Sequence, residues 1–227
     1  MLSNANIFTN PEIKCNTIGC HCMYANPNKP FNYSFRYINN DKNYIYYSIP
    51  KSASTFVRSR LFPNSYGLSS KTLLQPCKYS IKSTKFLDKK YFSFTFTRNP
   101  WSRMVSNWIY FKFNKLRIRQ MKLSGYNISD YNSFRDFIEL TLSFNNHHWQ
   151  PQHLFLDSNL DYIGKVENIN QDWFNICEKL HLSNLPVKKV NTTNHKHYTE
   201  YYDEETKLIV AEKYAKDIEY FGYKFGE

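Results

Sequence analysis

The stretch Tyr44-Ile-Tyr-Tyr-Ser-Ile-Pro-Lys-Ser-Ala-Ser-Thr-Phe-Val-Arg-Ser-Arg-Leu-Phe62 constrains the fold of this chain more than any other. Its first six residues are β-branched, aromatic and short, the composition of a strand buried on both faces. Pro50 ends that strand, because it has no N–H to give to a ladder. Lys51 to Thr55 are small or polar around one cation, and Phe56 to Phe62 resume apolar residues at helical spacing. Strand, tight loop and helix in that order aim the loop amides and the helix N-terminus at one point, where an anion is favoured. Lys51 adds an ammonium there, and Ser54 and Thr55 add hydroxyls. The glycines and the lysine–hydroxyl pair of G-x-x-x-x-G-K-S/T are absent, so this is a phosphate-type cradle of another kind.

A second strand and helix follow. Phe92-Ser-Phe-Thr-Phe-Thr97 alternates rings and hydroxyls with a period of two, and Asn99-Pro100 is a cap followed by proline at the first helical position. From Trp101 the stripe Met104, Val105, Trp108, Ile109 and Phe113 falls on one helical face, and the basic run Lys112 to Lys122 reads as the solvated end of that helix. Arg98 thus stands at a strand end and Ser106 two turns into the helix. An arginine offers a planar fork for a phosphate and a serine donates from the side. Taken alone, an arginine paired with a surface carboxylate and a serine on a helix face would be the better reading.

Further along, Ser133 with Asp136 opens a helix whose Phe134, Phe137, Ile138 and Thr141 share a face. Asp161 to Val166 is a short strand, and Ile169, Trp173, Ile176, Cys177 and Leu180 make an amphipathic helix. Asp203-Glu204-Glu205 starts a last helix that runs to Gly222. Alternating strands and helices predict an α/β fold, P-loop-like, with a mainly parallel central sheet flanked by helices. Residues 1–40, rich in Asn, Pro and Lys, read as an irregular arm, and 41–227 as one domain. The connection 63–85 is long enough to be functional.

The formal charge of +11 attracts anionic partners without choosing among a nucleotide, a glycan, a lipid or a nucleic acid. Cys15, Cys20, Cys22, Cys77 and Cys177 are odd in number, and the first three with His21 lack the paired spacing of a zinc site; reduced thiols and no metal are the expectation. No run of apolar residues spans a bilayer, and Met1 to Pro11 lacks the regions of a signal peptide, so a soluble, cytoplasmic protein is expected.

Pro50-Lys51-Ser52-Ala53-Ser54-Thr55 resembles the 5′-phosphosulfate loop of the sulfotransferases, P-K-x-G/A-S/T-T, in the alanine form of the heparan sulfate 2-O enzymes. Arg98 and Ser106 are similar to their R-N/D-P-x-x-R-x-x-S pair for a 3′-phosphate. His148-Trp-Gln-Pro-Gln152 looks like the H-W-x-P segment of the chondroitin 4-O type, and Asp161 to Ile169 like its strand and turn. The likeness covers about residues 44–225. It implies binding of 3′-phosphoadenosine 5′-phosphosulfate (PAPS) by Lys51, Ser52, Ala53, Ser54, Thr55, Arg98 and Ser106, with Thr193 and Lys196 in a polar loop nearby. The implied reaction is sulfuryl transfer, without a metal, to a hydroxyl of a saccharide or similar acceptor, and no nucleic-acid partner. Lys51 would face the bond that breaks. The 2-O enzymes carry their base histidine between the two cofactor motifs, where this chain has none; His148 is the matching candidate, and a structural histidine is the alternative. Outside the resemblance, a nucleotide kinase or a non-enzymatic binder of anionic glycan or nucleic acid would share the cradle or the charge. The oligomeric state stays open.

Overall fold

The computed structural model describes residues 36–39, 41–62, 91–123, 127–143, 145–156, 159–183 and 195–227. Among these residues four strands form a sheet: β1 (Arg36–Asn39), β2 (Tyr44–Tyr47), β3 (Phe92–Thr97) and β4 (Tyr162–Lys165), in the order β1-β2-β3-β4. β1 runs antiparallel to β2, whereas β2, β3 and β4 are parallel to one another. The expected parallel core is therefore present. β1 lies inside the stretch read as an arm, so the sheet begins before residue 41. The cysteines at 15, 20, 22 and 77, with His21, lie outside the described residues; Cys177 is buried in the apolar layer beside the sheet.

The strand β3 shows why its sequence alternates. Phe94 and Phe96, with Tyr44 and Tyr46 of β2, pack against Phe56, Val57 and Leu61 of helix α1 (Ser54–Leu61). Trp173, Ile176, Cys177 and Leu180 from α5 (Ile169–Lys179) and its C-terminal cap complete that layer. The hydroxyls point the other way. Thr95 Oγ1 donates to Tyr47 O at 2.7 Å, and Thr97 Oγ1 lies 2.8 Å from the Tyr223 hydroxyl.

A second apolar cluster is mainly helical. It joins α2 (Pro100–Phe113), α3 (Lys115–Leu123), α4 (Phe134–Ser143), α6 (Glu204–Lys213) and the buried Trp149. Asn99 caps α2 as expected, its side chain accepting from the amides of Trp101 and Ser102. Ser133 and Asp136 form the expected reciprocal cap before α4. Three expectations need correction. Phe113 is 71% exposed, because the chain turns at Asn114 and leaves it nothing to pack on. The basic run is not the end of α2: α3 is a separate helix starting at Lys115. The last helix is two, α6 and α7 (Ala215–Phe221), broken at Tyr214; Gly222 ends α7 with a φ of 65° that suits glycine. Among the described residues no helix is long and apolar enough to cross a membrane.

Candidate active site

The C-terminal ends of β2, β3 and β4 meet on one edge of the sheet, where open parallel sheets place their ligands. From β2 the chain passes through Ser48 and Ile49 into Pro50-Lys51-Ser52-Ala53 and then α1. Lys51 has a φ of 68° and Ala53 a φ of 56°, both left-handed and neither a glycine. Two such residues in three are uncommon outside turns and sites held by their surroundings. The holding contacts are visible. Ser52 N donates to Ile49 O at 3.2 Å, and Arg103 Nε donates to Pro50 O at 3.0 Å. Ala53 gives α1 no side-chain cap, so the amides of its first turn are not taken up by one.

Cations gather around this loop. The Lys51 ammonium sits 4.1 Å from the centre of the Tyr110 ring, whose hydroxyl accepts from Arg117 Nε at 2.8 Å. Arg98 Nη1 donates to Lys51 O at 3.5 Å, a long contact, and Arg98 Nε donates to Ser102 Oγ at 3.0 Å. Arg103 is buried, with Nη1 donating to Gln150 O at 2.8 Å. Burial, then the charges of Arg98, Arg117 and Arg103, lower the Lys51 pKa to about 7. Burial also lowers Arg98 and Arg103. Among the described residues no ion pair joins Lys51, Arg98 or Arg103 to a carboxylate. Glu167 offsets part of the charge on Arg98 and Asp217 part of that on Arg103, whereas every charge acting on Lys51 is positive, and a polyanionic ligand would relieve that excess. The residues present therefore fit a phosphate-bearing group.

The segment 146–153 adjoins the loop, with Gln152 Oε1 accepting from Ser52 Oγ and Gln150 O from Arg103 Nη1. His148 N donates to Asn146 Oδ1 at 2.9 Å, and His148 Nδ1 lies 2.9 Å from the same oxygen. An amide oxygen only accepts, so Nδ1 carries the proton and Nε2 keeps its lone pair. The ring packs near Tyr110, Phe111 and His147, with centroids at 5.7, 5.1 and 3.9 Å. Burial first, then His147, Arg117, Lys51 and Arg103, hold its pKa well below the usual histidine range, and His147 falls to about 3. Both rings are neutral at pH 7.

The structure thus brings Lys51, Arg98 and His148 together, with Tyr110 between Lys51 and His148. Ser54 and Thr55 open α1 at the loop. Ser106 lies one turn beyond Ser102 on α2, the serine that Arg98 touches. Ser52 is tied into the protein itself. It is 0% exposed, with its amide spent on Ile49 and its hydroxyl on Gln152, so it braces the loop from below. Lys196 is exposed, and among the described residues no hydrogen bond or ion pair ties its side chain to the loop or Arg98. Thr193 lies outside the described residues. Glu167 Oε1 accepts from Asn99 N at 2.8 Å and so braces the turn after Arg98.

Sequence reasoning missed Tyr110, Ser102, Arg103 and Gln152. Ser102 is legible in retrospect, four residues past Arg98 and facing it across the cap. Tyr110 and Gln152 carried no local signal. Their place depends on how α2 and the 146–153 segment pack against a loop that is distant in sequence.

A profile described as the sulfotransferase family matches residues 36–224, a span that takes in β1, the Lys51 loop, Arg98 and the segment 146–153. No curated protein and no solved structure matches the chain. With the profile over most of its length and the strand, loop and helix geometry at its site, the chain belongs to the sulfotransferase family.

Proposed function

We propose that the enzyme takes its sulfuryl group from 3′-phosphoadenosine 5′-phosphosulfate and passes it to a hydroxyl of a saccharide or similar acceptor. One observation supports this reading above others: Arg98 adjoins the Lys51 loop, its Nη1 3.5 Å from Lys51 O, and the two cations are read as two lobes of one site. A donor with phosphate groups at both its 5′ and 3′ positions matches two lobes, and a single phosphate matches one. In this reading the first-turn amides of α1, Ala53, Ser54, Thr55 and Lys51 hold the 5′ end, and Arg98 with Ser106 holds the 3′-phosphate. The donor supplies an activated sulfuryl group.

What the chain supplies is charge, placement and a proton acceptor. Lys51 is desolvated, so its positive charge acts at low dielectric on negative charge developing beside it. Tyr110 restricts where the ammonium rests. In this reading the lone pair on Nε2 of His148, left open by the bond from Nδ1 to Asn146, takes the hydroxyl proton. The saccharide assignment rests on the likeness of His148-Trp-Gln-Pro-Gln152 to enzymes acting on glycans.

Calorimetry with 3′-phosphoadenosine 5′-phosphate, AMP and ATP tests the donor. The bisphosphate is expected to bind far better than either, and Arg98→Ala to cost about 1.5–3 kcal/mol of that binding, as for a charge-assisted contact. Equal affinity for AMP and the bisphosphate would sink the assignment. Transfer of labelled sulfate onto saccharides, phenols and amines tests the acceptor; labelling of phenols alone would overturn the saccharide reading.

A further inference from the structure

A single buried amide ties the two lobes to each other. Gln152 is 0% exposed at the start of the 3₁₀ turn Gln152–Phe155. Its Oε1 accepts from Ser52 Oγ at 3.0 Å and from Arg98 N at 2.9 Å, while Nε2 donates to Arg98 O at 2.7 Å. The pair of bonds to Arg98 copies one rung of a β ladder at the residue where β3 has just ended. It fixes the peptide groups on both sides of Arg98, and through them the direction in which the guanidinium leaves the backbone. The third bond fixes Ser52 beneath the left-handed loop.

Gln152 is itself anchored. Its N–H donates to Asp217 Oδ2 at 2.6 Å, and Asp217 is a fully buried carboxylate of α7. Asp217 Oδ1 also accepts from His153 N at 2.9 Å and lies 2.6 Å from His153 Nδ1. The spacing between loop and Arg98 is thereby referred to a helix near the chain's C-terminal end. Nothing in the reading of the sequence assigned Gln152 or Asp217 to the site.

We infer that Gln152 is a positioning residue that holds the Lys51–Ala53 loop and Arg98 at the separation a 3′,5′-bisphosphate needs, with Asp217 holding Gln152. This rests on the donor reading above. Its consequence is specific: Gln152 contributes little to binding either phosphate alone and much to binding both at once. Two groups presented at the right spacing gain from each other, and that gain is lost when one lobe swings freely. A residue that merely stabilises the fold would weaken AMP and the bisphosphate alike.

The experiment measures binding of 3′-phosphoadenosine 5′-phosphate and of AMP by calorimetry on the full chain. The proteins are wild type, Gln152→Met, Gln152→Glu, Ser52→Ala, Arg98→Ala and Gln152→Met/Arg98→Ala. Wild-type preference for the bisphosphate is the precondition; its absence would refute the donor reading and not the role of Gln152. Given that preference, Gln152→Met should reduce the bisphosphate-to-AMP ratio about 10-fold or more, as three hydrogen bonds are lost. Gln152→Glu keeps two acceptor contacts but sets an oxygen against Arg98 O and a charge near the anion, so the ratio should fall at least as far. Ser52→Ala removes one bond and should lower the ratio a few-fold, which keeps a reading available if the Gln152 variants do not fold. In the Arg98→Ala background Gln152→Met should leave the ratio unchanged, since nothing remains to be positioned. An unchanged ratio in folded Gln152→Met, or in Ser52→Ala should only that variant fold, would overturn the inference. So would equal losses for the two nucleotides.

Discussion

Lys51 is asked to do two things that conflict. In the empty site it is a cation among cations, desolvated, with its pKa brought down to about 7. In the reaction it is the charge that offsets negative charge at the breaking bond. Lys51→Met is therefore expected to raise the thermal midpoint slightly while lowering turnover by about 10²-fold or more at saturating donor. Turnover within a few-fold of wild type would remove Lys51 from the chemistry. The pH dependence has a definite sign. An anion favours the protonated lysine, so above pH 7 the empty protein must take up a proton on binding, and affinity falls as pH rises. Lys51→Arg, which stays charged, should flatten that fall; calorimetry in buffers of different ionisation enthalpy reads the proton directly. His148 carries the next expectation. Because burial keeps it neutral well below the usual histidine range, it adds no acid limb between pH 8 and 6. His148→Gln should slow transfer by about 10²–10⁴ with donor affinity kept. A fully active variant, or a limb near pH 6.5 that the substitution leaves in place, would assign the proton to another group.

At the scale of elements, the site depends on where β3 and β4 stop. Phe96 pairs with Gly164, and Thr97 with Lys165, so Arg98 and Val166 leave the sheet together. The glycine is required by packing. A Cβ built there would lie 2.7 Å from Cε1 and 2.9 Å from Cδ1 of the buried Phe96 ring, and 3.2 Å from Asp172 Cβ. Neither neighbour has room to yield, since Asp172 is fixed by the Tyr162 hydroxyl and the Lys165 amide. Gly164→Ala is expected to destabilise by about 1–3 kcal/mol, as overpacking of a full core does. Urea unfolding checks it, and an unchanged midpoint would mean that the two strands can part without loss. Helix α2 contributes differently. Asn99 caps it and donates to Lys224 O at 2.8 Å, so one side chain fixes both the helix start after Arg98 and the C-terminal turn.

For the molecule as a whole, buried titrating groups set the pH of greatest stability. Lys51 near 7 and Lys213 near 8 lie below the ordinary lysine value of 10.5. Between those values the unfolded chain binds more protons, so stability rises with pH. His147 and His148, depressed by burial, act in the same direction below pH 6.5. Tyr46, Tyr214 and Tyr223 are raised above 10.0 by burial, so above that pH the unfolded chain loses its protons first and stability declines. The thermal midpoint of the empty protein should climb from pH 6 to about 9–10 and fall beyond. Saturating 3′,5′-bisphosphate should remove the part due to Lys51. A flat or falling midpoint between pH 7 and 9 would contradict the buried-lysine account.

The sequence alone was enough for the strand, loop and helix around Lys51, for the Asn99 cap and the Ser133–Asp136 cap, and for the parallel α/β plan. Each of these is local: alternation, capping and proline act over a few residues and leave their mark in order along the chain. The break at Asn114, the exposure of Phe113 and the division of the last helix at Tyr214 were not legible, since they depend on what lies opposite each side chain. The same holds for the site. Lys51, Arg98 and His148 carry chemistry that their residue types announce, but that Ser52 braces the loop follows only from Gln152 lying beneath it. Asp217, far along the chain in α7, fixes Gln152 by a hydrogen bond that no sequence spacing encodes. Tertiary structure decided these because a buried polar group must find its partner wherever the fold has placed one.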